Sequence, residues 1–89
     1  MLRITKIKEN GSPLTLKLEG AVTGEWVALL DQECRAVIGR NKTVRLDFLK
    51  VTYMDDHGME MIRKLPDQSI KIINAPAFIE ELLQQGGLS

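Results

Sequence analysis

Along the chain the spacing of apolar residues changes from block to block, and each change marks an element. Leu14, Leu16 and Leu18 alternate with Thr15, Lys17 and Glu19, the period of two of a strand with one buried face. Gly20 is expected to end that strand. Before it, residues 2–9 mix Leu2, Ile4 and Ile7 with charges and lead into Asn10-Gly11-Ser12-Pro13, which predicts a first strand closing into a hairpin. After it, Trp26, Val27, Leu30, Cys34, Val37 and Ile38 recur at three- and four-residue intervals, with Asp31, Gln32 and Arg35 between them. That is the pattern of an amphipathic helix. Thr23 is the expected cap, with Glu25 in the first turn. Gly39 is the expected left-handed terminating residue, and Arg35 and Arg40 suit the negative end of the helix dipole.

Val44, Leu46 and Phe48 then alternate with Thr43, Arg45 and Asp47, a third strand that runs into Leu49-Lys50-Val51-Thr52-Tyr53-Met54. A short loop through Tyr53-Met54 is expected to lead into a second helix. Asp55 or Asp56 caps that helix, Met59, Ile62 and Leu65 form its apolar stripe, and Pro66 stops it. Ile70, Ile72 and Ile73 predict a short fourth strand. Asn74 or Ala75 leads into Pro76, the expected first residue of a third helix, in which Phe78, Ile79, Leu82 and Leu83 pack inward as far as Gly86. The order β-β-α-β-α-β-α predicts a single α/β domain over residues 1–89. Its four-stranded mixed sheet joins an antiparallel opening hairpin to parallel strands with right-handed crossovers, and about three helices pack on it.

Composition narrows the function. With 89 residues, 44% hydrophobic and 27% charged, the chain fits one soluble globular domain. Twelve Lys and Arg offset twelve Asp and Glu, so no net field draws the protein to polyanions. Phe48, Phe78, Tyr53 and Trp26 are scattered and form no stacking cluster, so no nucleic-acid partner is expected. Arg35, Arg40, Lys42 and Arg45, the one basic concentration, read as a solvated helix end and strand face. Cys34 is the single cysteine, which rules out an internal disulfide and a multi-cysteine zinc site and suits a reducing compartment. Residues 1–9 carry too many charges for a signal peptide, and no stretch is long and apolar enough to enter a membrane. A cytoplasmic protein is expected.

Chemistry-bearing residues gather in one place. Asp55, Asp56, His57 and Glu60 could be drawn together as a metal site, but adjacent residues rarely converge on one ion and there is no second histidine. A small metal-dependent or acid–base enzyme is therefore the disfavoured alternative. No nucleophile elbow or glycine-rich phosphate loop supports it, and no cofactor is expected. Trp26 and Met59 read as core residues, whereas Met61, just off the apolar stripe, reads as a surface residue available to a partner.

Within Val44-Arg45-Leu46-Asp47-Phe48 through Met54-Asp55-Asp56-His57-Gly58-Met59, the chain resembles the STAS family, the domain shared by anti-sigma factor antagonists and sulphate transporters. The family pattern is a strand with an aspartate near its end, an apolar pair, then Asp-Ser-Ser/Thr-Gly and an apolar residue. Asp47, Met54, Asp55, Gly58 and Met59 match it in type and spacing. Leu14 to Gly20, and Ile72-Ile73-Asn74-Ala75-Pro76 through Gly86-Gly87-Leu88, extend the likeness over most of the chain.

The resemblance implies a protein-binding module whose partner surface, around the family's phosphorylation loop, comprises Met54, Asp55, Asp56, His57, Gly58, Met61 and Ile62. Family members that act as switches carry a phosphorylatable serine or threonine immediately before the glycine, a position held here by His57. Asp56 precedes it, and a fixed carboxylate cannot gain the added charge of a phosphate. Thr52 lies too far before the helix to replace that hydroxyl. The implied partner is an anti-sigma factor kinase. The alternative is the ATPase of a lipid-transporting ABC system with a small STAS subunit. Oligomeric state is left open.

Overall fold

Strand β1 (Leu2–Ile7) and strand β2 (Leu14–Val22) pair antiparallel, with Leu2 opposite Gly20 and Ile7 opposite Thr15. The computed structural model describes residues 1–7 and 14–87, with side chains as far as residue 82. The turn expected at Asn10–Pro13 and the inward packing expected of Leu83 lie outside the described residues. Helix α1 (Glu25–Ile38) carries the chain to strand β3 (Val44–Met54), parallel to β2. Helix α2 (Asp56–Lys64) and a short 3-10 turn at Asp67–Ser69, which the apolar pattern does not signal, lead to strand β4 (Ile70–Ile73), parallel to β3. Helix α3 (Ala77–Gly87) follows.

The sheet order is β1-β2-β3-β4, the mixed sheet and element sequence expected from the apolar pattern. Both α1 and α2 contact β3 and each other, and α3 contacts α2, so the helices form one layer. Leu16, Leu18, Val44, Leu46 and Phe48 are fully buried beneath it, because alternate strand residues point to the same face. On α1, Val27, Leu30, Cys34 and Val37 turn inward, and on α3 Ile79 does.

Several local expectations are corrected. Gly20 does not end β2. It sits inside the strand at φ 108, where a Cβ would collide with the Met1 carbonyl oxygen, and Ala21 N–H donates to that oxygen at 3.0 Å. Thr23 is not the cap of α1. Gly24 holds that position at φ 54 and ψ −131, a conformation open to glycine alone. Gly39 is right-handed at φ −62, and the left-handed residue is Asn41 at φ 59, two positions later, because helical turns continue through Arg40 and Asn41 N–H. Tyr53 and Met54 are strand residues and not a loop, since β3 stays paired with β2 up to Val22 and Met54. Pro76 precedes α3, its carbonyl accepting from Ile79 and Glu80 N–H. Phe78 is 40% exposed, so it does not pack inward as expected.

Candidate functional site

Parallel strands β2 and β3 finish side by side, and the site is built where both turn into helices. Asp55 N–H donates to the Val22 carbonyl at 3.2 Å, carrying the pairing one residue past Met54. With Asp55 extended at φ −87 and ψ 179, its side chain reaches forward, and Oδ1 accepts from Gly58 N–H at 2.8 Å as the cap of α2. The other oxygen, Oδ2, accepts from Gly24 N–H at 3.1 Å, at the start of α1. The Gly58 N–H foremost, then that of Gly24 and the nearby His57, hold the Asp55 carboxyl below its usual pKa, against a partial opposing loss of hydration. Gly58 is required by close approach: a Cβ there would stand 2.9 Å from the Val22 carbonyl oxygen.

The expected site residues divide by burial. Asp56 and His57 are exposed and Asp55 is half-buried, whereas Met54, Gly58, Met61 and Ile62 are buried. Met61 is the correction among these. It was expected at the surface and is 8% exposed, because α2 packs on α1, on α3 and on β3 and so buries a wider arc than the stripe of Met59, Ile62 and Leu65. The solvent-facing part of the segment is thus Asp56, His57 and Glu60.

Beside it runs a groove of about 540 Å³ between α1 and α2. Gly24, Val27, Ala28, Asp31 and Arg35 form the α1 wall, and His57, Glu60, Met61 and Lys64 the α2 wall. Asp31 and Arg35 pair across one helical turn at 2.8 Å. Sequence reasoning missed the α1 wall, since its only signal was the polar side of an ordinary amphipathic helix. It also left Asp47 without a contact. The Asp47 Oδ1 accepts from Leu49 N–H at 3.0 Å and from the Asn74 side-chain amide at 3.2 Å, bracing β3 against the residue after β4. Among the described residues, no three His, Cys, Asp or Glu are placed to hold a metal ion. No helix among them is long and apolar enough to cross a membrane. The site offers charges of both signs around a partly apolar trough.

A family model described as "Mlab, STAS domain" matches residues 5–89. Among curated proteins, none matches the chain significantly by sequence. The fold is similar to that of an anti-sigma factor antagonist from Mycobacterium paratuberculosis, with a TM-score of 0.80 and 14% identity over 99% of this chain and 80% of that one. It is also similar to the anti-sigma factor antagonist SpoIIAA in its unphosphorylated form, with a TM-score of 0.73 and 14% identity over 92% of this chain and 82% of that one. An uncharacterised protein from Shewanella loihica with a SpoIIAA-like fold matches at a TM-score of 0.60 and 14% identity, over 97% of this chain and 76% of that one.

Proposed function

The chain belongs to the STAS domain family, and from that premise we propose that it is a protein-binding regulatory module resembling an anti-sigma factor antagonist but lacking the serine phosphorylation switch. The observation that carries this reading is the first turn of α2. It is anchored from within by Asp55 and Gly58, and it turns Asp56 and His57 to solvent, the positions at which the resemblance implies that the family's switches carry hydroxyls. A partner docking there meets Asp56, His57 and Glu60 first, and the α1–α2 groove beside them. Met54, Gly58, Met61 and Ile62 then act from beneath, shaping the surface. The reading makes the domain a binding module and not an enzyme, and places it in the cytoplasm. Its partner is an anti-sigma kinase, whose capture frees a sigma factor.

A second reading makes the partner the ATPase of a lipid-transporting ABC system. Two observations favour it: residues 55–58 hold no hydroxyl, and the matching family model is described by Mlab and not by an antagonist.

Calorimetric titration of the purified protein with each candidate partner separates the two. Binding to the kinase, weakened at least about tenfold by charge reversal at Asp56 and Glu60, is the outcome expected of the first reading. Binding to the ATPase alone transfers the assignment to the second, and binding to neither removes both. Incubation with the kinase and ATP should leave residues 55–58 without phosphate.

A further inference from the structure

We infer that Asp55 is a positioning residue that sets the mouth of the α1–α2 groove by holding the starts of both helices on one carboxylate. Capping α2 occupies only Oδ1, through Gly58 N–H at 2.8 Å. The second oxygen crosses to Gly24 N–H, 31 residues away in sequence, at 3.1 Å. Helix α1 has no side-chain cap of its own, and Gly24 is its N-cap residue. The carboxylate that caps α2 therefore also satisfies an N–H at the start of α1, where unpaired donors and the helix dipole favour a negative charge.

The backbone aims both bonds. Asp55 N–H is held to the Val22 carbonyl at 3.2 Å, and α2 lies so close to Val22 that Gly58 has no room for a Cβ. Gly24 and His57 stand on opposite walls of the groove, so the Asp55–Gly24 bond fixes how far apart those walls begin. An ordinary cap would leave that distance to side-chain packing.

Calling the groove a binding face rests on the function proposed above. The clamp is tested on the free protein, so the two can fail separately. In the 15N-labelled chain, the amide protons of Gly24 and Gly58 are followed through an acid titration, and their hydrogen exchange is compared with that of Asp55→Asn. Asparagine keeps one acceptor oxygen and can still cap α2.

The expected result is a common titration midpoint for both amides, below that of an ordinary aspartate, and no such transition in Asp55→Asn. Exchange at Gly24 should rise about tenfold or more in the variant, the effect of losing one charge-assisted hydrogen bond, with Gly58 changing less than about threefold. Glu25, Asp56, His57 and Glu60, and Asp31 on the facing wall, are the other ionisable groups around this carboxylate, and all are retained in Asp55→Asn. A Gly24 amide that stays flat while Gly58 titrates, or exchange at Gly24 indifferent to the substitution, overturns the clamp. Should the variant fail to fold, the titration of the unsubstituted chain decides alone.

Discussion

At Gly58 a methyl group has no space: its carbon would stand 2.8 Å from the Met54 Cγ and 2.9 Å from the Val22 carbonyl oxygen. The methionine can yield but the strand carbonyl cannot, so Gly58→Ala should cost about 1–3 kcal/mol. Urea unfolding should show a lower midpoint at unchanged slope. Asp55 is the other residue on which the site turns. Its carboxyl is held below the usual value in the folded chain, so its stabilisation is complete above the ordinary carboxylate pKa and is lost as pH falls through the folded one. Asp55→Asn should therefore flatten the acid side of a stability–pH curve, below the ordinary carboxylate pKa, and cost about 1 kcal/mol at neutral pH through the weakened bond to Gly24. A cap at Asp55 was legible in the sequence because Asp before a helical stripe is a local signal. Its bond to Gly24 was not, because nothing local brings residue 24 to residue 55.

Among the elements, β3 departs furthest from a regular pattern. Its alternation holds from Val44 to Phe48, and then Val51 and Met54 are buried at three-residue spacing. The pairing explains this. Lys17 faces Asp47 but Glu19 faces Lys50, and Gly20 faces Val51 but Ala21 faces Tyr53, so β3 holds two extra residues relative to β2. Asp47 braces the first irregularity through Leu49 N–H. Asp47→Ala should cost about 1 kcal/mol by thermal or urea unfolding, and Asp47→Asn less, since its carbonyl can still accept.

On α1, Cys34 is fully buried, and burial foremost, with Asp31 and Glu33 adding, pushes its pKa up to about 12 against the opposing pull of Arg35. The thiol is thus protonated at neutral pH. Any stability it contributes is present below its ordinary value and is lost as pH rises toward the folded one. A thiol reagent at pH 8 should label the native protein at least about a hundredfold more slowly than the unfolded chain, because labelling must await opening of the structure.

Over the whole molecule, charge is balanced and the ion pairs Lys6–Glu33, Asp31–Arg35 and Lys50–Glu19 lie at the surface. Burial in the layer between sheet and helices therefore carries the stability, and exposed polar residues contribute little to it. The double substitution Asp56→Ser with His57→Ser tests that division. Neither residue caps α2, since Asp55 does, and both are exposed. Calorimetry should show stability within about 0.5 kcal/mol of the original, while the variant carries hydroxyls at the start of α2.

The sequence by itself determined the number and order of the strands and α-helices, though not the 3-10 turn at Asp67–Ser69. Period two and period 3.6 are written into which residues are apolar, and burial of a face enforces them wherever the chain folds. It also placed the chemically distinctive segment at the start of α2. Only the tertiary structure decided that Met61 turns inward, that β3 stays in the sheet to Met54, and that Asp31, Arg35 and Gly24 share a groove with His57 and Glu60. Those outcomes depend on which elements become neighbours. A residue's own stretch of chain fixes its local conformation, but its exposure and partners are set by whatever packs against it.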